Sequence, residues 1–204
     1  MKALLPYFNK PVLVGFTILT LLNGCSNAPL RSESPDSASE SPTLPRDYEN
    51  ALALMQSGDY PTAVIAIQRF IDKNPDLAGP WLNLGIAYRF TGDRNAALEA
   101  LSKSVELNPS NPAAYQQLGI LYRERGQFDA ALESYDRALE LDPGYAMAHR
   151  NIGILYDLYL QRPNLALDHY RKYLELMGND DPEVDRWVTD LQRRSGAAQA
   201  RAQQ

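Results

Sequence analysis

The chain has 204 residues, 45% of them apolar, with 20 Lys and Arg against 25 Asp and Glu for a net charge of −5, enough for one domain plus appendages. Residues 1–24 hold Lys2 and Lys10 and no acid, so the remainder carries 18 basic against 25 acidic residues, a balance of −7; it lacks the basic stripe that phosphate binding demands, and no nucleic-acid partner is expected. Cys25 is the only cysteine, which excludes an internal disulfide framework.

At the amino terminus, the two lysines precede or border a 12-residue apolar run, residues 11–22. That run is too short to span a bilayer comfortably and has the shape of a signal-peptide core, so residues 1–24 are expected to be an address that is removed. Leu22-Asn23-Gly24-Cys25 follows at once. Small residues before the cut lie extended in a peptidase cleft, and a cysteine at the first mature position offers a thiol for diacylglycerol. The tetrad resembles the lipobox of bacterial lipoproteins, with Asn23 less usual than Ala or Ser. An ordinary signal peptide with an incidental cysteine is the competing reading, but the single cysteine stands where the lipid would go. The resemblance implies lipid attachment at Cys25. Ser26, rather than Asp, after it implies sorting to the outer membrane, facing the periplasm. Residues 25–45 are then the lipidated cysteine and a tether rich in Ser, Pro and acid, with nothing to build a core. Such a stretch of some twenty residues has an r.m.s. reach of roughly 25 Å.

Beyond the tether the chain repeats itself. Trp81-Leu82-Asn83-Leu84-Gly85-Ile86-Ala87-Tyr88, Tyr115-Gln116-Gln117-Leu118-Gly119-Ile120-Leu121-Tyr122 and His149-Arg150-Asn151-Ile152-Gly153-Ile154-Leu155-Tyr156 are variants of one phrase, with glycines 34 residues apart. A fixed period of that length belongs to stacked helical hairpins. The pattern resembles the tetratricopeptide repeat: a large residue, then Leu-Gly and Tyr in the first helix, Ala, an aromatic and Ala in the second, and a closing Pro. Repeats are expected over about 44–77, 78–111, 112–145 and 146–180. The third, with Tyr115, Leu118, Gly119, Tyr122, Ala131, Tyr135, Ala138 and Pro143, is nearly complete. The first is weak at its start, and the fourth needs one extra residue to bring Ala166, Tyr170 and Tyr173 into phase. The expected fold is all-α, a right-handed superhelical solenoid of about four hairpins over 46–180.

A mid-helix Gly costs about 1 kcal/mol relative to Ala, so three at one phase imply close approach of a neighbouring helix; Ala97, Ala131 and Ala166 are expected on the facing side. Tyr88, Tyr122 and Tyr156 are expected to fill the gaps between hairpins. Gly58, Gly92 and Gly126 stand where a left-handed residue closes a helix. Pro75, Pro109 and Pro143 follow the second helices, since the residue before Pro avoids the helical region. The fourth turn, Leu160-Gln161-Arg162-Pro163, lacks the glycine and carries the insertion, so its hairpin should be the least regular.

Asp181-Pro182-Glu183 reads as a helix start, with an acidic cap and Pro in the first turn. Val184, Trp187, Val188 and Leu191 then make one apolar stripe. A capping helix over 181–194 and a flexible tail over 195–204 are expected.

No His-Glu-x-x-His, Cys-x-x-Cys, Gly-x-Ser-x-Gly or Gly-x-x-x-x-Gly-Lys occurs, so neither enzyme activity nor a cofactor or metal is expected. His149 occupies the place of Trp81 and Tyr115 and reads as packing; His169 reads as half-exposed. Asn179-Asp180-Asp181 reads as helix capping rather than a metal site.

By the same resemblance, ligands lie along the first helices. The fifth positions are Tyr48, Leu82, Gln116 and Arg150, and the ninth are Leu52, Ile86, Ile120 and Ile154, an aliphatic ladder. The twelfth are Met55, Arg89, Arg123 and Asp157, and Phe90 and Leu158 stand at the thirteenth. An apolar seam beside two arginines suits a peptide with apolar anchors and some acid. The repeats that clamp a terminal carboxylate for co-chaperone work carry Lys and Asn where this chain has Tyr48, Leu52, Gln116 and Ile120, which disfavours that role. The expectation is a lipid-anchored scaffold that holds a protein or peptide and supports assembly of an envelope machine, with pilotins and peptidoglycan-hydrolase adaptors as analogues. A homo-oligomeric spacer and an enzyme with an unrecognised site are the alternatives.

Overall fold

The computed structural model describes residues 45–202. The expected signal peptide, Cys25 and nearly all of the tether lie outside them. The described residues contain no strand. Four helical hairpins run in order: α1 (Arg46–Ser57) with α2 (Tyr60–Ile71), α3 (Ala78–Thr91) with α4 (Arg94–Leu107), α5 (Pro112–Glu124) with α6 (Phe128–Leu141), and α7 (Ala146–Ile154) with α8 (Pro163–Leu176). A last helix, α9 (Pro182–Ala202), closes the series.

Local chemistry places the ends. The turns inside the first three hairpins pass through Gly58, Gly92 and Gly126 at φ +82°, +89° and +73°, a region that a Cβ makes costly. Asp59 accepts from the Thr62 N–H at 3.3 Å and Asp93 from the Ala96 N–H at 3.0 Å, each capping the second helix that follows. Helices α2, α4 and α6 stop at Ile71, Leu107 and Leu141, ahead of Pro75, Pro109 and Pro143.

Each hairpin packs against the next, and the first helices of successive hairpins also approach one another, α3 to α5 and α5 to α7. The first helices therefore line one side of a superhelical solenoid and the second helices the other. Tyrosines rivet the hairpins together: Tyr88, Tyr122 and Tyr156 each pack against two apolar clusters. The glycine notches have a different occupant from the one expected. A Cβ on Gly85 would stand 2.5 Å from Leu101 Cγ, one on Gly119 2.5 Å from Tyr135 Cδ1, and one on Gly153 2.5 Å from Tyr170 Cδ1. The large residue one turn beyond each expected alanine enters the notch. Ala97, Ala131 and Ala166 are themselves fully buried, and their small size lets the helices close far enough for the larger side chain to reach.

The fourth hairpin absorbs its extra residue in the backbone. Helix α7 runs without a break into a π-helical segment, Leu155–Tyr159, whose wider turn takes up one residue without breaking the helix. The turn after it contains Gln161 at φ +52°, the left-handed conformation that glycine supplies in the other three hairpins.

Asp181 opens α9 as expected, its Oδ1 accepting from the N–H groups of Glu183 and Val184 at 3.1 Å each. Its Oδ2 also accepts from the Tyr173 hydroxyl at 2.7 Å, which ties the cap to α8. Val184, Val188 and Leu191 are buried and pack with Tyr170, Tyr173 and Leu174 of α8. The helix continues through Ala202, past the boundary at 194 that the apolar stripe suggests.

Candidate protein-binding groove

The candidate residues come from α1, α3, α5 and α7 with its π-helical extension, so one structural phase presents them all. At the fifth positions, Tyr48 is buried and stacked on Phe70, with ring centroids 4.6 Å apart and its hydroxyl accepting from Asn83 Nδ2 at 2.6 Å. Burial raises the pKa of that phenol, with the Asn83 hydrogen bond opposing. Leu82 is half-buried. Gln116 is buried and accepts from Gln117 Nε2 at 3.1 Å. Arg150 lies 5.0 Å from the Trp187 ring centroid and 3.8 Å from Glu183, so α9 engages it from the end of the stack.

At the ninth positions the expected ladder is interrupted. Leu52, Ile86 and Ile154 are half-buried, but Ile120 is only 4% exposed. It packs with Tyr135, Ile152 and Leu155, because α7 and its extension lean across α5. Gln116 and Ile120 thus belong to the interior of the middle of the solenoid. The apolar surface on this side comes from Leu52, Ile86 and Ile154, joined by Phe90, Leu158 and Tyr159, which are 38%, 65% and 42% exposed.

The twelfth and thirteenth positions carry the electrostatics. Arg89 donates to Glu124 at 2.8 Å, joining the second and third repeats, and its guanidinium lies 4.4 Å from the Phe90 ring centroid. Phe90 in turn stacks nearly parallel on Tyr60, with centroids 4.3 Å apart. Met55 packs on the first cluster. Asp157 is held by Arg194 of α9 at 3.1 Å. Arg123 is 7% exposed; its Nη1 reaches the Tyr159 hydroxyl at 3.5 Å, and its Nε and Nη2 are buried without a hydrogen-bond partner. The Tyr135 hydroxyl lies near this guanidinium without meeting hydrogen-bond geometry; burial pushes that phenol up to about 12, against the pull of Arg123.

Sequence reasoning missed Tyr60, Glu124 and Tyr159. Glu124 was within reach: it stands at the same repeat position as Phe90 and Leu158. Tyr159 was hidden because the π-helical segment, not the 34-residue register, sets its direction.

The two histidines meet. Their Nδ1 atoms lie 3.1 Å apart, and His149 Nε2 lies 3.3 Å from the Pro143 carbonyl. A carbonyl can only accept, so His149 carries its proton on Nε2, its Nδ1 accepts and His169 Nδ1 donates. Burial and then the neighbouring His149 push the His169 pKa down to about 4; burial also lowers that of His149. A shallow cleft of about 800 Å³ runs along α6 beside exposed Asp129, Glu133, Asp136 and Glu140; solvated charges line it, and none of the expected ligand positions opens into it.

Three models of the tetratricopeptide repeat match the chain, at residues 78–111, 100–133 and 119–157. No curated protein sequence matches it significantly. Solved structures with the same fold include a MamA crystal structure, at 26% identity and TM-score 0.58, over 65% of this chain and 77% of that one. Another is PilF of Pseudomonas aeruginosa, at 19% identity and TM-score 0.68, over 74% and 68%. A third is YrrB, described as a tetratricopeptide protein with an unusual peptide-binding site, at 23% identity and TM-score 0.59, over 71% and 73%. The chain therefore contains tetratricopeptide repeats folded as a superhelical solenoid.

Proposed function

We propose that this tetratricopeptide solenoid is a scaffold that holds a protein or peptide along its first helices, tethered to the bacterial outer membrane through a lipidated Cys25 and facing the periplasm. There it supports assembly of an envelope machine, in the manner of a pilotin or a hydrolase adaptor. The carrying observation is the run of incompletely covered apolar residues on one side of the stack: Leu52, Ile86 and Ile154 half-buried, with Phe90, Leu158 and Tyr159 exposed. Such residues lose water when an apolar-anchored chain lies over them, at roughly 25 cal/mol per Å². The peptide site named for YrrB is consistent with this reading. The anchor rests on the lipobox-like tetrad ending at Cys25, and among the described residues no helix is long and apolar enough to cross a membrane.

Two substitutions at half-buried groove positions test the reading: Ile86→Glu with Ile154→Glu in the full chain, with folding checked by circular dichroism because Ile154 also borders the cluster between α8 and α9. Envelope proteins that co-purify with the wild type from native membranes should be lost. Undiminished co-purification with a folded double variant would refute groove binding. Cys25→Ser should release the chain from the membrane fraction, and retention there by the isolated variant on lipid vesicles would refute the lipid anchor.

A further inference from the structure

In the sequence register each twelfth position meets the thirteenth position of the next repeat, 35 residues on, and Arg89 and Glu124 make that rung at 2.8 Å. The π-helical segment Leu155–Tyr159 shifts the next rung by one residue. Arg123 therefore meets Tyr159, 36 residues on, with its Nη1 3.5 Å from the hydroxyl and its guanidinium 5.7 Å from the ring centroid. The earlier rung sets a carboxylate against its cation; this one sets a phenol.

Arg123 is therefore buried without an anion. It is 93% covered, its one direct hydrogen bond is the 3.5 Å contact to the Tyr159 hydroxyl, and its Nε and Nη2 have no acceptor. Glu124, the acid next to it in sequence, is taken by Arg89, and Asp157 is taken by Arg194. The Tyr135 hydroxyl beside it stays protonated at neutral pH and cannot balance the charge. A buried guanidinium with unmet donors is costly, and a planar carboxylate meets two of its N–H groups at once. The side chain that covers it reaches the surface: Tyr159 is 42% exposed, sits on the π-helical segment and rests its ring against Phe128 with centroids 5.0 Å apart. Such π-helical segments occur frequently at functional sites.

We infer that Arg123 is the specificity-determining residue of the groove: it receives an acidic side chain of the bound partner, which takes the place beside Arg123 that the Glu124 carboxylate holds beside Arg89 and displaces the Tyr159 hydroxyl. The flanking apolar residues, Leu158 and Ile154, seat the partner's anchors on either side of that acid. This rests on the groove reading above.

The test uses the full chain, held in detergent, as bait for a displayed library of random dodecapeptides. Selected peptides should carry Asp or Glu at a fixed spacing from apolar residues. Replacing that acid by its amide in a synthetic copy should weaken binding at least about tenfold, the scale of a charge-assisted hydrogen bond. The amide penalty should vanish in Arg123→Met. It should also vanish in Tyr159→Glu, where the new carboxylate stands beside Arg123 in place of the phenol and raises the melting temperature above that of Tyr159→Gln only while Arg123 is present. Peptides selected without acid, or an amide penalty unchanged in both variants, would overturn the role of Arg123 and leave the groove reading standing. Recovery of no peptide would overturn both. If acid-bearing peptides bind only after residues 26–45 are removed, the acids of the tether itself fill the site and a partner's carboxylate is not its occupant.

Discussion

Replacing Gly119 by Ala should destabilise the protein, whereas the same replacement at Gly196 should stabilise it. Both glycines lie inside helices, where Ala is favoured over Gly by about 1 kcal/mol. At Gly196 the added Cβ meets nothing within 4 Å, so that gain stands. At Gly119 it would lie 2.5 Å from Tyr135 Cδ1. Carbon atoms in ordinary contact sit about 3.5–4.0 Å apart, so the ring must retreat by roughly 1 Å. Tyr135 is fully buried and packed with Ala131, Ile120 and Leu155, so its ring can retreat only by displacing them. Overpacking of this kind costs about 1–3 kcal/mol. Subtracting the helix gain leaves a net loss of about 0–2 kcal/mol for Gly119→Ala, and Gly119→Leu should lose several times more. For a chain of this size each kcal/mol moves the midpoint by about 2–4 °C. Thermal unfolding by circular dichroism, with all three variants on one preparation, separates the signs. A rise in melting temperature for Gly119→Ala equal to that for Gly196→Ala would refute the notch as the reason for the repeated glycines.

The paired histidines predict a pH dependence. The folded state holds His169 at about 4 against an ordinary value of 6.5, so between those values the unfolded chain binds a proton that the folded chain refuses; stability should fall as pH drops through that window and lose nothing further from this group below it. Lys172 and Asp168 face the pair from α8, Lys172 opposing protonation of His149 and Asp168 favouring that of His169. His169→Gln should flatten the slope of urea midpoint against pH between 7 and 5, and an unaltered slope would exclude the pair as its source. Asp181→Ala removes acceptors for two backbone N–H groups and the Tyr173 hydroxyl and should cost about 1–2 kcal/mol, felt first in α9. Hydrogen exchange should show that helix losing protection, with Asp181→Asn losing less; unchanged protection would refute the cap.

The architecture was legible because the repeat is redundant. Gly85, Gly119 and Gly153 mark one phase, Gly58, Gly92 and Gly126 mark the turns, and Pro75, Pro109 and Pro143 mark the ends. Each rule is local, tied to a backbone conformation or a missing N–H, so it survives translation from chain to fold without knowledge of the neighbours. The extra residue of the fourth hairpin was also visible as a break in phase. How the chain absorbs it, as a π-helical segment, was not, because the choice between widening a helix and lengthening a turn depends on what packs against it.

The groove was only partly legible for the same reason. Repeat position assigns a residue to a face, and it did bring Leu52, Ile86, Arg89, Arg123 and Ile154 to one side. It does not say how far the next hairpin leans over that face, and this lean buries Gln116 and Ile120 while leaving Phe90 and Leu158 exposed. Nor does it match charges: both arginines look alike in the sequence, yet one has Glu124 at 2.8 Å and the other has none. The hairpins, their turns and their order can be read along the chain, since they follow from short-range sterics and hydrogen bonding. Which side chains fill the glycine notches, and which cation lacks an anion, emerges when the hairpins pack. Those outcomes hang on ångström-scale approach between residues far apart along the chain.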